Sequence, residues 1–308
     1  MKLIAPDYYP LFSCIADKCK HSCCIGWEID IDAETLETYK NVQGDFGKRL
    51  REGIDEMDGT ACFHLCEDER CPFLNEKGLC DIILNLGEDA LSQICTDHPR
   101  FCSFYSDRTE IGLGLCCEEA GRIILSHQKK TELIVLDDDG GDEMPSDDDI
   151  LFAILRSKLF SIAQNREKTL DERMKDILSL FGTQIPKRSF REWVDIYFSL
   201  DRMDDSWSEL LEKAKTFDGE PLTFEDEIPF EQLLVYFIYR HLSDMETDAE
   251  KIASFAVLSV WFIRMLCAVW QKTYGTLDMN ALVEICRLYS SEIEYSEENT
   301  SALLEEWL

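Results

Sequence analysis

Leu136-Asp-Asp-Asp-Gly-Gly-Asp-Glu-Met-Pro-Ser-Asp-Asp-Asp149 gathers eight acids, two glycines and a proline into one short stretch. Its like charges repel and little in it can be buried, so it reads as an exposed linker or long loop. The sequence on its two sides differs in kind. Residues 1–135 hold twelve of the fourteen cysteines, and residues 150–308 carry sustained helical periodicity. The reading is a mainly α chain in three parts: a cysteine-rich domain over 1–135 with little regular strand, an acidic linker over 136–149, and an all-helical domain over 150–308.

Working forward, Ser146 followed by Asp149 has the form of a capping box, and Ile150, Leu151, Ile154, Leu155, Leu159 and Ile162 then keep helical spacing. Further helices are predicted over 170–181 with a stop at Gly182, then over 189–200, 206–217, 230–243, 250–274 and 278–294. The apolar run 252–270 approaches the length of a membrane span but contains Ser254, Ser259 and Arg264. An arginine at mid-bilayer is costly, so the run reads as a buried helix of a soluble domain. Aromatics such as Trp193, Tyr197, Tyr236, Phe237, Trp261 and Phe262 recur at helical spacing and read as core packing. Working back from the acidic stretch, Asp32 is a candidate N-cap for a helix reaching Asn41, a second helix is expected near 87–95, and a strand over 110–115 should lead into a helix over 118–128.

The chain carries 62 acidic against 31 basic residues, a net charge of -31. Such a surface repels phosphate backbones and anionic lipid, which argues against nucleic-acid and membrane partners and for a basic, lysine-bearing one. The N-terminus, MKLIAPDYYPLFSC, lacks the continuous apolar core of a secretory signal. Cytoplasmic residence is therefore expected, and in that reducing compartment dense cysteines point to metal binding or catalysis rather than disulfides.

The cysteine spacing is Cys14-x4-Cys19-x3-Cys23-Cys24, then Cys62-x3-Cys66-x4-Cys71-Pro72 with Cys80, then Cys95, Cys102 and the pair Cys116-Cys117. None of these is a paired CxxC zinc knuckle or a familiar ferredoxin run. One tetrahedral metal or one cubane uses about four sulfurs, so the set exceeds a single centre. The leading ligand candidates are Cys14, Cys19, Cys23 and Cys24, followed by Cys71, Cys80, Cys95 and Cys117, with His21, His64 and His98 able to complete a mixed site. His127 and His241 carry no such context. The GxSxG elbow, HExxH, the P-loop and a GxGxxG turn are all absent, so no catalytic residue or nucleotide loop is assigned.

The run Cys71-Pro-Phe-Leu-Asn-Glu-Lys-Gly-Leu-Cys80, continued by Leu86-Gly-Glu88, Leu91-Ser92, Cys95, His98-Pro-Arg100 and Cys117-Glu-Glu-Ala120, resembles the flagellin lysine-N-methylase family. The opening cysteines and Gly26-Trp27 resemble its N-terminal signature, and the likeness is strongest over about residues 1–130. The resemblance implies methyl transfer from S-adenosylmethionine to surface lysines of flagellin, with an iron–sulfur cluster, or alternatively zinc, held by Cys14, Cys19, Cys23, Cys24, Cys71, Cys80, Cys95 and Cys117. Glu118 stands where the family pattern would have a proline, and Cys116 is an additional sulfur beside Cys117. Methylation needs a neutral amine, for which Glu28, Asp30, Glu118 and Glu119 are candidate proton acceptors by their closeness to cysteines. The competing reading is a non-catalytic module that binds or delivers metal.

Overall fold

The computed structural model describes residues 1–307 except 58, 142, 220, 221, 223, 225 and 243–247. They form two compact units, one of residues 13–100 and one that joins residues 1–12 to residues 101–308. Strands β1 (Lys2–Pro6), β2 (Asp30–Ile31), β3 (Ile54–Met57), β4 (Thr60–Phe63), β5 (Arg100–Phe104), β6 (Arg108–Leu113) and β7 (Leu133–Asp138) all precede the second half of the chain. Helices are α1 (Ala33–Asn41), α2 (Gly44–Glu52), α3 (Asp81–Leu86), α4 (Gln93–Asp97), α5 (Glu118–Ser126), α6 (Asp147–Ala163), α7 (Leu170–Leu180), α8 (Phe190–Ser199), α9 (Asp205–Lys215), α10 (Ile228–His241), α11 (Ala249–Tyr274), α12 (Met279–Tyr289) and α13 (Glu297–Trp307).

The compact units part on either side of residues 13–100 rather than at the acidic stretch. Long-range strand pairing is the cause. β1 runs parallel to β6, with Ile4 opposite Glu110, and antiparallel to β7, with Pro6 opposite Leu133. The sheet order β5-β6-β1-β7 thereby ties the first residues and 101–138 to the helical unit. Glu110 on β6 is 2% exposed and receives both Arg156 terminal nitrogens of α6 at 2.6 and 2.7 Å, and Arg108 Nε at 2.7 Å. A buried carboxylate in low dielectric requires such partners, so this cluster fixes α6 against the sheet.

The helical expectations hold beyond that sheet. Ser146 caps α6 in a full capping box with Asp149, and Thr169 and Ser189 do the same for α7 and α8. From residue 147 onward the described residues contain helices and no strand. α11 is long and apolar enough to cross a membrane, but 83% of its most apolar window is buried inside the protein. Tyr197 stacks on Phe262 with centroids 3.7 Å apart, and Arg264 pairs with Asp171 at 2.6 Å, so the run of apolar residues is a core helix. α10 ends at His241, and Ser243, the expected last residue, lies outside the described residues.

Two expectations need correcting. The first 138 residues hold more regular strand than expected, in a four-stranded and a three-stranded sheet, because strands of two to six residues leave little alternation to read. The helix expected near 87–95 is interrupted: Gly87 at φ 93° opens a 3-10 turn over Glu88–Ala90, and α4 begins only at Gln93.

In the unit of residues 13–100, β2-β4-β3 packs with α1 and α2 around Ile29, Tyr39, Leu50, Phe63, Phe73 and Ile82. Asp32 caps α1 by accepting Thr35 N at 2.9 Å, as the sequence predicts, and its second oxygen accepts Gln93 N at 2.9 Å. One carboxylate therefore holds the first turns of both α1 and α4.

Candidate functional site

Two constellations carry chemistry, one in each unit. In residues 13–100, the backbone builds a clip around the sulfurs. Cys71 N donates to Cys24 O at 2.8 Å and Gly26 N to Glu69 O at 3.1 Å, so segments 24–26 and 69–71 lie side by side. A tight turn follows, with Gly78 at φ 72° and the Asn75 side-chain oxygen accepting Lys77 N and Leu79 N, which brings Leu74 opposite Cys80. Asn75 also donates to Asp81, which pairs with Arg49 at 2.6 Å. The result places Cys71 within electrostatic reach of Cys24, Cys80 and Cys95.

These four thiols pack on the Phe73 and Tyr39 core and differ in acidity. Burial pushes Cys71 up to about 12 and Cys95 to about 11, and raises Cys80. Cys24 is pulled down to about 7 by a hydrogen bond from Cys23, aided by Ser22 and the Arg70 charge. His98, packed by the Trp27 ring at 6.2 Å, is depressed to about 4 by burial and is neutral at pH 7.

The eight sequence-derived ligand candidates thus separate. Cys24, Cys71, Cys80 and Cys95 share one neighbourhood, with Cys23 beside Cys24. Cys14 is exposed, Cys19 donates to His21 O at 3.0 Å, and Cys117 is the N-cap of α5 in the other unit. Among the described residues no three histidine, cysteine or acidic side chains stand close enough to hold a metal ion. The donor chemistry of the four clustered sulfurs suits a soft metal or an iron–sulfur centre, but their side chains are not drawn into a closed ligand set.

The second constellation was not foreseen. After α12 the chain makes one turn of π-helix over Ser290–Glu294, a wide turn that buries Glu292, Ile293 and Glu294 in succession. Glu292 spends its carboxylate on Asp204 N at 2.7 Å and Met203 N at 3.0 Å, holding the start of α9. Glu294, its side chain 0% exposed, meets His241 Nε2 at 2.8 Å, Tyr236 Oη at 3.1 Å and Arg240 Nε at 3.2 Å. Burial opposes its charge, yet the Arg240 charge and the His241 contact outweigh it and hold the carboxyl below its ordinary range.

The surrounding groups are equally organised. Arg240 packs on the Phe101 ring at 4.9 Å and the Tyr295 ring at 4.7 Å, and its buried Nη1 has no hydrogen-bond partner among the described residues. Cys116 donates to Tyr295 Oη at 3.1 Å, and Leu115 N donates to Tyr236 Oη at 3.1 Å. Beside this network opens a cavity of about 460 Å³, lined by Arg240, His241 and Glu294 together with Phe101, Cys102, Ser103, Glu297, Thr300 and Ser301. A carboxylate-held imidazole on a cavity wall is a pair able to move a proton. Of the proton acceptors proposed from sequence, Glu119 is buried on α5 and bound to Arg122 at 2.7 Å, outside the cavity lining.

Comparison with known proteins bears on this second unit directly. Residues 170–307 match the family model described as the FliB lysine N-methylase C-terminal domain, a stretch that contains Tyr236, Arg240, His241 and Glu294. The chain is 28% identical over 127 residues to proteins named lysine-N-methylase from Salmonella typhimurium and Salmonella choleraesuis, covering 39% of this chain and 32% of each relative. A protein named flagellar biosynthetic protein FliU, from Salmonella muenchen, is 28% identical over 127 residues, covering 75% of its length. The match thus spans about a third of the length of the lysine-N-methylases. No solved structure matches the chain. The chain is thus similar to the FliB lysine N-methylase C-terminal domain over residues 170–307, and over 127 residues to proteins named lysine-N-methylase and FliU.

Proposed function

We propose that the protein is a lysine N-methyltransferase that takes its methyl group from S-adenosylmethionine and acts on surface lysines of flagellin in the cytoplasm. The observation that carries this reading is the match of residues 170–307 to the lysine N-methylase C-terminal domain, the segment in which the Glu294 network and most of its cavity lie. The acidic surface, at a net charge of -31, favours encounter with a lysine-bearing partner.

For the cysteine unit we propose that Cys24, Cys71, Cys80 and Cys95 hold an iron–sulfur cluster, with zinc as the alternative. Held by three of these four sulfurs, an iron–sulfur cubane would leave one iron able to take the amino and carboxylate groups of S-adenosylmethionine. The chain's own part is to deliver sulfurs from three segments: Asp32 sets α4 and with it Cys95, the Asn75 turn sets Cys71 and Cys80, and the 24–26 bridge sets Cys24. Cys14, Cys19 and Cys23 stay as proposed ligands of a second or rearranged centre in their unit, and Cys117 as a proposed ligand within its own.

The test is transfer itself. Protein purified without air is incubated with methyl-labelled S-adenosylmethionine and flagellin, and the hydrolysate is separated. Label in methyl-lysine supports the reading. Retained iron or zinc with no label in lysine would instead indicate a module that only binds metal.

A further inference from the structure

We propose that the cavity beside the π turn receives the amine end of a lysine side chain, and that His241, oriented by Glu294, removes its proton. This rests on the lysine methylase reading and adds to it a pocket and a base. Lysine ends in a four-carbon stem and a point charge, a slim shape that about 460 Å³ accommodates with room to spare. The Phe101 ring gives the stem an apolar wall, and the exposed Glu297 carboxylate at the rim attracts the incoming ammonium.

Further in, the Glu294 charge is offset by Arg240 at 3.2 Å, so an ammonium seated there meets a balanced ion pair and not a bare carboxylate that would hold its proton. The Arg240 guanidinium beside that carboxylate weakens its hold on the protonated amine. The acceptor follows from hydrogen-bond chemistry. Glu294 as a carboxylate can only accept, so His241 donates from Nε2 in their 2.8 Å contact, and in the neutral ring this leaves the Nδ1 lone pair as the acceptor.

In the step, an N–H bond of the lysine ammonium breaks with its electron pair left on nitrogen, and the proton forms a new N–H bond at His241 Nδ1. The resulting imidazolium is held by Glu294. Among the described residues, Glu294 on the π turn and the Phe237 and Phe255 rings face the imidazole, with Arg240 and Tyr236 on α10 and Tyr295 after the turn grouped around that carboxylate.

The experiment has two arms on the full chain. In the first, N-acetyl-lysinamide is titrated into the protein while the His241 ring is followed by nuclear magnetic resonance, with N-acetyl-norleucinamide as the matched probe without an amine. Shifts with the lysine probe alone, weakened several-fold by Glu297→Gln, are expected. In the second, His241→Gln is assayed for methyl transfer to flagellin across pH. The expected result is a kcat lower by about 100-fold with KM little changed, and a deficit that narrows as pH rises and the amine loses its proton unaided.

No shift at His241, or equal shifts with both probes, overturns the pocket even if methylation proceeds. A variant with wild-type kcat and the same pH profile overturns the base while the methylase reading stands. Absence of methyl transfer by the unaltered protein counts against the methylase reading alone, because the binding arm still decides the pocket. Since Glu297 is exposed, its variant keeps the test decisive if His241→Gln folds poorly.

Discussion

Replacing Glu294 with leucine should destabilise the helical unit severely, and the structure gives the scale. The carboxylate is wholly buried and compensates Arg240, whose side chain is only 12% exposed, while also engaging His241 and Tyr236. Removing one partner of a buried ion pair leaves the other charge uncompensated and costs about 3–5 kcal/mol. With a urea slope of about 3 kcal/mol/M for a chain of this size, the unfolding midpoint should drop by about 1–2 M. Urea titration followed by tryptophan fluorescence reads this unit well, since Trp193 and Trp207 are fully buried there. Adding Arg240→Met to Glu294→Leu should recover most of the loss, because it removes the orphaned charge. A single variant as stable as the unaltered protein, or a double variant no better than the single one, would refute the pairing. The pH dependence has a defined sign. The folded Glu294 pKa lies below its ordinary value, so its contribution is present above the ordinary carboxylate range and is lost as pH falls through the lower folded value.

Other consequences are as specific. Asp32→Ala removes acceptors from both Thr35 N and Gln93 N and should cost about 1–3 kcal/mol, visible as faster amide exchange at the starts of α1 and α4; unchanged exchange at Gln93 would rule out the shared cap. Because hydrogen bonds from Gln93 and Thr35 pull the Asp32 carboxyl down to about 2, that protection should persist through mild acid and fade only toward pH 2. Gly112→Ala would place a methyl 2.2 Å from the Phe101 ring, pushing that ring out of the cavity wall; lysinamide affinity should fall, and an unaltered affinity would show the ring is not part of the pocket. Alanine at Cys24 or Cys71 should lower the iron or zinc recovered per chain, and full retention in both would remove the four-thiol assignment.

Local signals in the sequence reached as far as local physics does. Ser146, Thr169 and Ser189 begin helices because side chain and backbone within four residues satisfy each other, and Gly275 closes α11 at φ 81°, so helix limits could be read directly. The sheet could not. Lys2 pairs with Arg108 and Asp138, over a hundred residues away, and nothing in a five-residue strand names those partners. The same limit applied to the sites. The family-like run 71–80 identified the turn that carries two sulfurs, but which of twelve cysteines share a neighbourhood depends on how segments 24–26, 69–71 and 93–97 cross. His241 and Glu294 are 53 residues apart, and they meet because a π turn buries Glu294. One trace was present: Arg240-His241 ending an otherwise apolar helix, and Glu292 and Glu294 following another, are polar groups where helical periodicity calls for a core.

The central claim is lysine methylation, and peptide mass mapping of flagellin produced together with this chain tests it most directly. The account predicts mass increments of whole methyl groups confined to lysine-containing surface peptides, present with the unaltered chain and strongly reduced with His241→Gln. Flagellin of unchanged mass, from cells in which the chain is present and folded, would contradict it.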